Sequence, residues 1–151
     1  MWKKILLGVI VLLAVIVGGF LVSPYGPLVG GALVGERVEA PVDDWSFVTA
    51  NRFCKFEVSR PEPRSFTVTC LSVDAELYVG CMQCPNKSWP PDLAANPEAR
   101  YLAGGKLYDV NATLVSDPSL RQRIWDSRGE VDELEVTPVP DSYWIYRLSS
   151  R

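Results

Sequence analysis

Nine residues, Cys81-Met-Gln-Cys84-Pro-Asn-Lys87-Ser88-Trp89, crowd two thiols, an ammonium, a hydroxyl and an indole together. Three chemistries fit such a run. A C-x-x-C pair works as a redox couple when a helix N-terminus lowers one thiol pKa. The same pair can be half of a four-cysteine zinc site. In the third reading the Lys is the working group at the edge of a cofactor pocket, and the thiols are scaffold.

The surroundings weigh among these. From Glu76 to Met82, Leu77, Val79 and Cys81 share one face of an alternating run, so Cys81 lies in a strand rather than at a helix start. No strand-helix-strand pattern surrounds it. The other two cysteines, Cys54 and Cys70, stand apart, whereas zinc sites carry two close pairs. A c-type haem needs a His after the second Cys, and Pro85 is there. The chain contains no His at all. That excludes His-based acid-base chemistry, His-ligated haem and His-containing zinc sites. Cys54, Cys70 and Cys81 all fall on apolar strand faces, which reads as core packing, bridged or free. One or two disulfides suit a domain outside the cytoplasm. An envelope thiol protein using Cys81 and Cys84 is a further alternative.

The elements that must position these residues are mostly strands. Arg52 to Val58 places Cys54, Phe56 and Val58 on one face and Phe53, Lys55 and Glu57 on the other. Arg64 to Leu71 sets Phe66, Val68 and Cys70 against Ser65, Thr67 and Thr69. With the run from Glu76 it predicts a hairpin turning at Asp74-Ala75. Arg100 to Val115 predicts a second hairpin, turning at Gly104-Gly105. Tyr143 to Leu148 reads as the last strand. Ser88 to Asn96 can hold one or two helical turns, with proline at the start where it is tolerated. Ser116 to Ser127 is a clearer helix, capped by Asp117, opened by Pro118 and ended by Gly129. The sum is a mainly β domain, a small barrel with two short helices.

Before it comes an uncharged apolar run, Ile5 to Val22. Eighteen residues in a helix cover about 27 Å, close to a bilayer core. A cleaved signal peptide shares the basic start, but no A-x-A-like cleavage site follows. The reading is therefore a transmembrane anchor over residues 1–23, a Gly/Pro linker over 24–35 and a single domain over 36–151. Lys3 and Lys4 are the only charges before Glu36. The positive-inside rule keeps them cytoplasmic and puts the domain on the extracytoplasmic side of a single-pass protein. With 15 basic and 18 acidic residues and no basic block, nothing suits nucleic acid.

Several segments resemble the pyridoxamine 5′-phosphate oxidase-like, FMN-binding split-barrel superfamily. "VGERVEAPVDDWSFV" (Val34 to Val48) is similar to the opening segment of a membrane-tethered branch. "PRSFTVTCLSVDAELYV" (Pro63 to Val79) is similar to its first core hairpin. "NKSWPPDLAANPEARYLAGGKLYDVNATLVSD" (Asn86 to Asp117) resembles its Lys, short helix, "NP" turn and next hairpin. "DPSLRQRIWD" matches the helix that often follows.

The resemblance implies a six-stranded, Greek-key-like split barrel that forms a homodimer, with FMN or the deazaflavin F420 at the interface. It implies that Arg64, Thr67, Thr69, Lys87 and Ser88 hold the phosphate tail and that Trp89 packs near the ring. Such a phosphate favours a guanidinium, an ammonium and hydroxyls converging on one point. Each of these residues also has an ordinary reading: solvated charges, strand threonines, a core tryptophan. Members that oxidise pyridoxamine phosphate carry further Arg and His, and the usual Asp-Gly turn is here Asp74-Ala75. Chemistry in flavin members is largely the cofactor's, so no catalytic base is implied.

Two functions follow as expectations. One is a membrane-anchored flavin- or F420-binding oxidoreductase acting on a small molecule or quinone-like substrate near the membrane. The other is a non-catalytic tethered barrel that has lost its cofactor and serves as an accessory or interaction module. A translocated barrel is an awkward place for cytosolic flavin nucleotides. That leaves an inverted anchor, an exported cofactor or an empty fold as alternatives.

Overall fold

Each alternating run has an apolar face to bury, and six of them bury it together by closing a barrel. The computed structural model describes residues 2–22, 30–48, 53–132 and 137–151. The barrel strands are β2 (Phe53–Val58), β3 (Arg64–Val73), β4 (Glu76–Cys81), β5 (Glu98–Ala103), β6 (Lys106–Leu114) and β7 (Trp144–Ser150). A two-residue strand, β1 (Glu36–Arg37), adds to β6 in parallel. The helices are α1 (Trp2–Val22), α2 (Pro90–Ala95) and α3 (Pro118–Asp132).

All barrel pairings are antiparallel: β2 with β3, β3 with β4, β4 with β7, β7 with β6, β6 with β5, and β5 back to β2. The chain first makes the meander β2-β3-β4. It then crosses the barrel through residues 82–97 to place β5 on the far side of β2. The last strand fills the gap between β6 and β4. This closure is the expected six-stranded barrel, and it leaves no open edge among these six strands.

Both predicted hairpin turns are present. Asp74 and Ala75 have φ of 53° and 63°, and Gly104 and Gly105 have 56° and 79°. Left-handed pairs of this kind match the twist of the flanking strands. Glycine adopts them freely, whereas Ala75 does so at a cost of about 1 kcal/mol.

Phe56, Val58, Leu77, Val79, Ala99, Tyr101, Val110 and Leu148 fill the barrel, each fully buried or nearly so. Outside it, Leu71, Tyr78 and Ile145 are covered by Leu120, Ile124 and Trp125 of α3. Asp117 caps that helix, its Oδ1 accepting the Leu120 N–H at 2.7 Å. The helix does not stop at Gly129 as its sequence predicts; it runs on to Asp132. A glycine inside a helix costs about 1 kcal/mol, which biases the end without fixing it. The next proline after Pro118 is Pro138, too far on to force a stop. The last strand likewise extends two residues past Leu148, to Ser150.

Helix α1 has 21 residues and is long and apolar enough to cross a membrane. The first part of the expected linker, residues 24–29, lies outside the described residues, as does residue 23. The second part rests on the barrel. Gly30 exchanges two backbone hydrogen bonds with Ser65, at 2.9 and 3.0 Å. Leu33 is buried against Leu102 and Leu107. Its N–H donates to Oε2 of Glu57.

Candidate functional site

The crossover between β4 and β5 builds the site. It leaves the barrel at Cys81, makes a tight 3-10 turn over Cys84–Asn86, and re-enters at Trp89 before α2. The indole plugs the barrel end. Its ring centroid lies 5.9 Å from Phe56, 5.7 Å from Phe66 and 5.5 Å from Tyr146. Trp89 is 4% exposed, so it belongs to the core and its edge forms part of a wall. Arg60 donates to Asp92 at 2.8 Å and pins α2 to the start of the β2–β3 connection.

A cleft of about 390 Å³ opens beside this plug. Its walls are the first half of β3 (Phe66 to Thr69), the end of β4 (Gly80 and Cys81) with Met82 after it, and Lys87, Ser88 and Trp89 of the crossover, with Phe53 alongside. The volume suits a small-molecule ligand. The wall is divided by chemistry. Lys87, Ser88, Thr67 and Thr69 offer an ammonium and three hydroxyls. Phe66, Trp89, Met82 and Phe53 offer apolar surface, and Phe53 is 73% exposed. No carboxylate is among the lining residues.

Five of the six residues nominated from the sequence therefore meet in one cleft: Thr67, Thr69, Lys87, Ser88 and Trp89. Arg64 does not line it. It is exposed at the first position of β3, opposite Val58. It precedes the stretch of β3, Phe66 to Thr69, that forms the wall. A second cation sits beside the cleft instead. Lys55 lies opposite Thr67 on β2, and its Nζ donates to Thr67 Oγ1 at 2.7 Å. Partial burial lowers the Lys55 pKa. The sequence placed Lys55 on the strand face opposite that of Cys54, Phe56 and Val58, but only the β2–β3 register sets it against Thr67. Phe53, Gly80 and Met82 were missed for the same reason.

The cysteines divide into two pairs. Cys81 and Cys84 form a disulfide, with Cα atoms 5.2 Å apart. Cys54 and Cys70 are thiols buried inside the barrel, close to Tyr101. Burial pushes the Cys54 thiol and the Tyr101 phenol well up, so both stay neutral. Among the described residues no cluster of Cys, Asp and Glu suits a metal ion.

No family model and no curated protein matches the chain. Solved structures do. A candidate pyridoxamine 5′-phosphate oxidase from Listeria innocua is similar with a TM-score of 0.55 at 16% identity, over 68% of this chain and 86% of that one. General Stress Protein 26 from Bacillus anthracis is similar with a TM-score of 0.50 at 18% identity, over 66% and 79%. ChuZ from Campylobacter jejuni reaches 0.56 at 13% identity, over 70% and 50%. Identities this low speak to architecture and not to activity. On that ground the chain has the split-barrel fold of the pyridoxamine 5′-phosphate oxidase-like proteins.

Proposed function

We propose that the cleft binds a flavin-type cofactor, FMN or the deazaflavin F420, and that the chain serves as a membrane-anchored oxidoreductase on a small molecule. One observation carries this reading. Residues nominated for a phosphate tail, separated by some twenty positions in the chain, meet in one cleft of a barrel similar to that of a candidate pyridoxamine 5′-phosphate oxidase.

The residues fit the group in kind. Lys87 would hold the phosphate with Ser88, Thr67 and Thr69, since an ammonium and hydroxyls suit an anion with several acceptor oxygens. Lys55 adds positive potential from behind Thr67. Trp89 and Phe66 would support the ring and exclude water from one side. When bound, such a cofactor supplies the hydride chemistry. The chain's part is to bind and orient it, and no protein side chain is needed as acid or base. Arg64, outside the wall, contributes to the field at longer range.

A second copy of the chain would close the open side of the cleft. The exposed apolar side chains of Phe53 and Met82 support that homodimer. Helix α1 would anchor the assembly, with Lys3 and Lys4 cytoplasmic and the barrel on the other side.

The other reading is a tethered accessory module whose cleft receives a partner's apolar group. The exposure of Phe53 favours it. Titrating the detergent-solubilised full chain with FMN, FAD and F420 separates the two. Saturable quenching of one ligand's fluorescence supports a cofactor site. No quenching by folded protein, with a protein partner captured through Phe53, supports the module.

A further inference from the structure

The disulfide lies in the wall that would hold the ligand. Cys81 ends β4 and lines the cleft. Cys84 starts the turn that delivers Lys87 and Ser88 three and four residues later. We propose that the redox state of the Cys81–Cys84 bridge sets how tightly the cleft holds an anionic ligand. This rests on the cofactor reading given above and adds a regulation to that same site.

The bridge ties the crossover to the barrel where the polar groups leave it. The turn is otherwise held by backbone bonds. Cys84 N–H donates to the Ser142 carbonyl at 2.9 Å, and Asn86 and Lys87 N–H donate back to Gln83 and Cys84 at 3.0 Å each. Gln83 adopts a left-handed φ of 52°, unfavourable for a residue with a Cβ. Met82, Gln83, Pro85, Asn86, Lys87 and Ser88 are all exposed. Between the plug at Trp89 and the strand end at Cys81, the buried sulfur bridge is therefore the one side-chain anchor of this loop among the described residues. Opening it frees Gln83 to leave the left-handed region, and Lys87 and Ser88 must then be ordered again on binding. Ordering side chains and loop opposes affinity.

Access to the bridge runs through the site. Both sulfurs are buried, Cys84 at 1% and Cys81 at 4% exposure, but only Cys81 lines the cleft. A reagent approaching from the cleft meets Cys81 first, and a bound ligand stands in its way. In reduction by an external dithiol, the reagent's thiolate attacks a bridge sulfur and the Cys81–Cys84 bond breaks. The reagent closes its own disulfide, and two electrons and two protons pass to the cysteines. Coupling between ligand and bridge is reciprocal: if the closed bridge favours the ligand, the ligand favours the closed bridge.

The test titrates the full chain with FMN in four forms: oxidised, reduced by dithiothreitol, C81S/C84S, and Lys87→Ala. Disulfide state is read by mass after alkylation, and folding by circular dichroism. Cys54 and Cys70 are thiols already, so the reductant acts on one bridge. The expected result is at least about tenfold weaker binding for the reduced and C81S/C84S forms. C81S/C84S should show no response to dithiothreitol, and saturating FMN should slow reduction of the wild-type bridge. Equal FMN affinity in oxidised and reduced wild type overturns the proposal. If Lys87→Ala still loses binding in that case, the cofactor reading survives alone. Failure of the oxidised chain to bind FMN removes both. Should C81S/C84S not fold, the reduced wild type decides.

Discussion

Lys55 and Thr67 meet across the β2–β3 pair, Nζ to Oγ1 at 2.7 Å, and only Thr67 enters the cleft. The ammonium lies beside the wall, in contact with a lining hydroxyl and not itself a lining group. Replacing Lys55 with Met should weaken FMN binding about threefold at low salt, with the difference shrinking towards 1 M salt, where the screening length falls to about 3 Å. Calorimetric titration at two salt concentrations checks this. An effect that is large and independent of salt would mean direct contact.

Glu57 is 2% exposed and receives both ends of the Arg100 fork, at 2.7 and 2.8 Å, together with the Leu33 N–H. This carboxylate fastens the segment after α1 to the barrel wall. Arg100→Met leaves a buried charge without its cation and should cost about 3 kcal/mol by urea unfolding. Arg100 itself is 29% exposed, which argues for the lower end of the usual range. A loss under 1 kcal/mol contradicts this account of the fastening.

A Cβ added at Gly80 would lie 1.7 Å from the Tyr143 hydroxyl oxygen and 2.4 Å from Cζ of the same ring. That ring is held by an edge contact with Trp125, centroids 4.8 Å apart, so it cannot swing aside cheaply. Gly80→Ala should destabilise the fold by about 1–3 kcal/mol, as overpacking generally does. Thermal unfolding followed by near-ultraviolet circular dichroism measures both the loss and the displaced aromatic packing.

Burial pushes the Tyr146 phenol up to about 12 from its ordinary value of 10.0. A group whose pKa is raised in the folded state adds stability that is present below pH 10 and lost as pH climbs through about 12. Wild-type stability should therefore decline over that alkaline window. Tyr146→Phe should decline less, because one ionisation that favours unfolding is gone. Urea midpoints measured between pH 8 and pH 12 give the comparison; parallel curves contradict the assignment.

The barrel was legible because its signals are local. Cys54, Phe56 and Val58, then Phe66, Val68 and Cys70, each mark one apolar face, and Asp74-Ala75 and Gly104-Gly105 mark turns between strands. Gly129 misled because a helix-ending preference of about 1 kcal/mol competes with packing that the sequence does not display. The site was legible where neighbours in sequence stay neighbours in space, as in Lys87-Ser88-Trp89. It was less so where register decides. Arg64 stands at the first position of β3, two residues short of the stretch Phe66 to Thr69 that lines the cleft, so Thr67 is in the wall and Arg64 is not. Lys55 and Thr67 are 12 apart in the chain and touch. The disulfide was among several open readings, since a C-x-x-C does not itself distinguish a bridge from a pair of thiols.

The Lys87 ammonium, carried on the crossover, is the group proposed to hold an anion in this cleft. The most direct measurement of that role is the FMN affinity of Lys87→Ala beside Arg64→Ala, both as full chains. Losing the ammonium from the wall should weaken binding at least about tenfold, an effect proper to a charge-assisted contact. Removing Arg64 should change it less than about threefold, as for a screened surface charge. Equal affinity of wild type and Lys87→Ala, or a larger loss from Arg64→Ala, would contradict it.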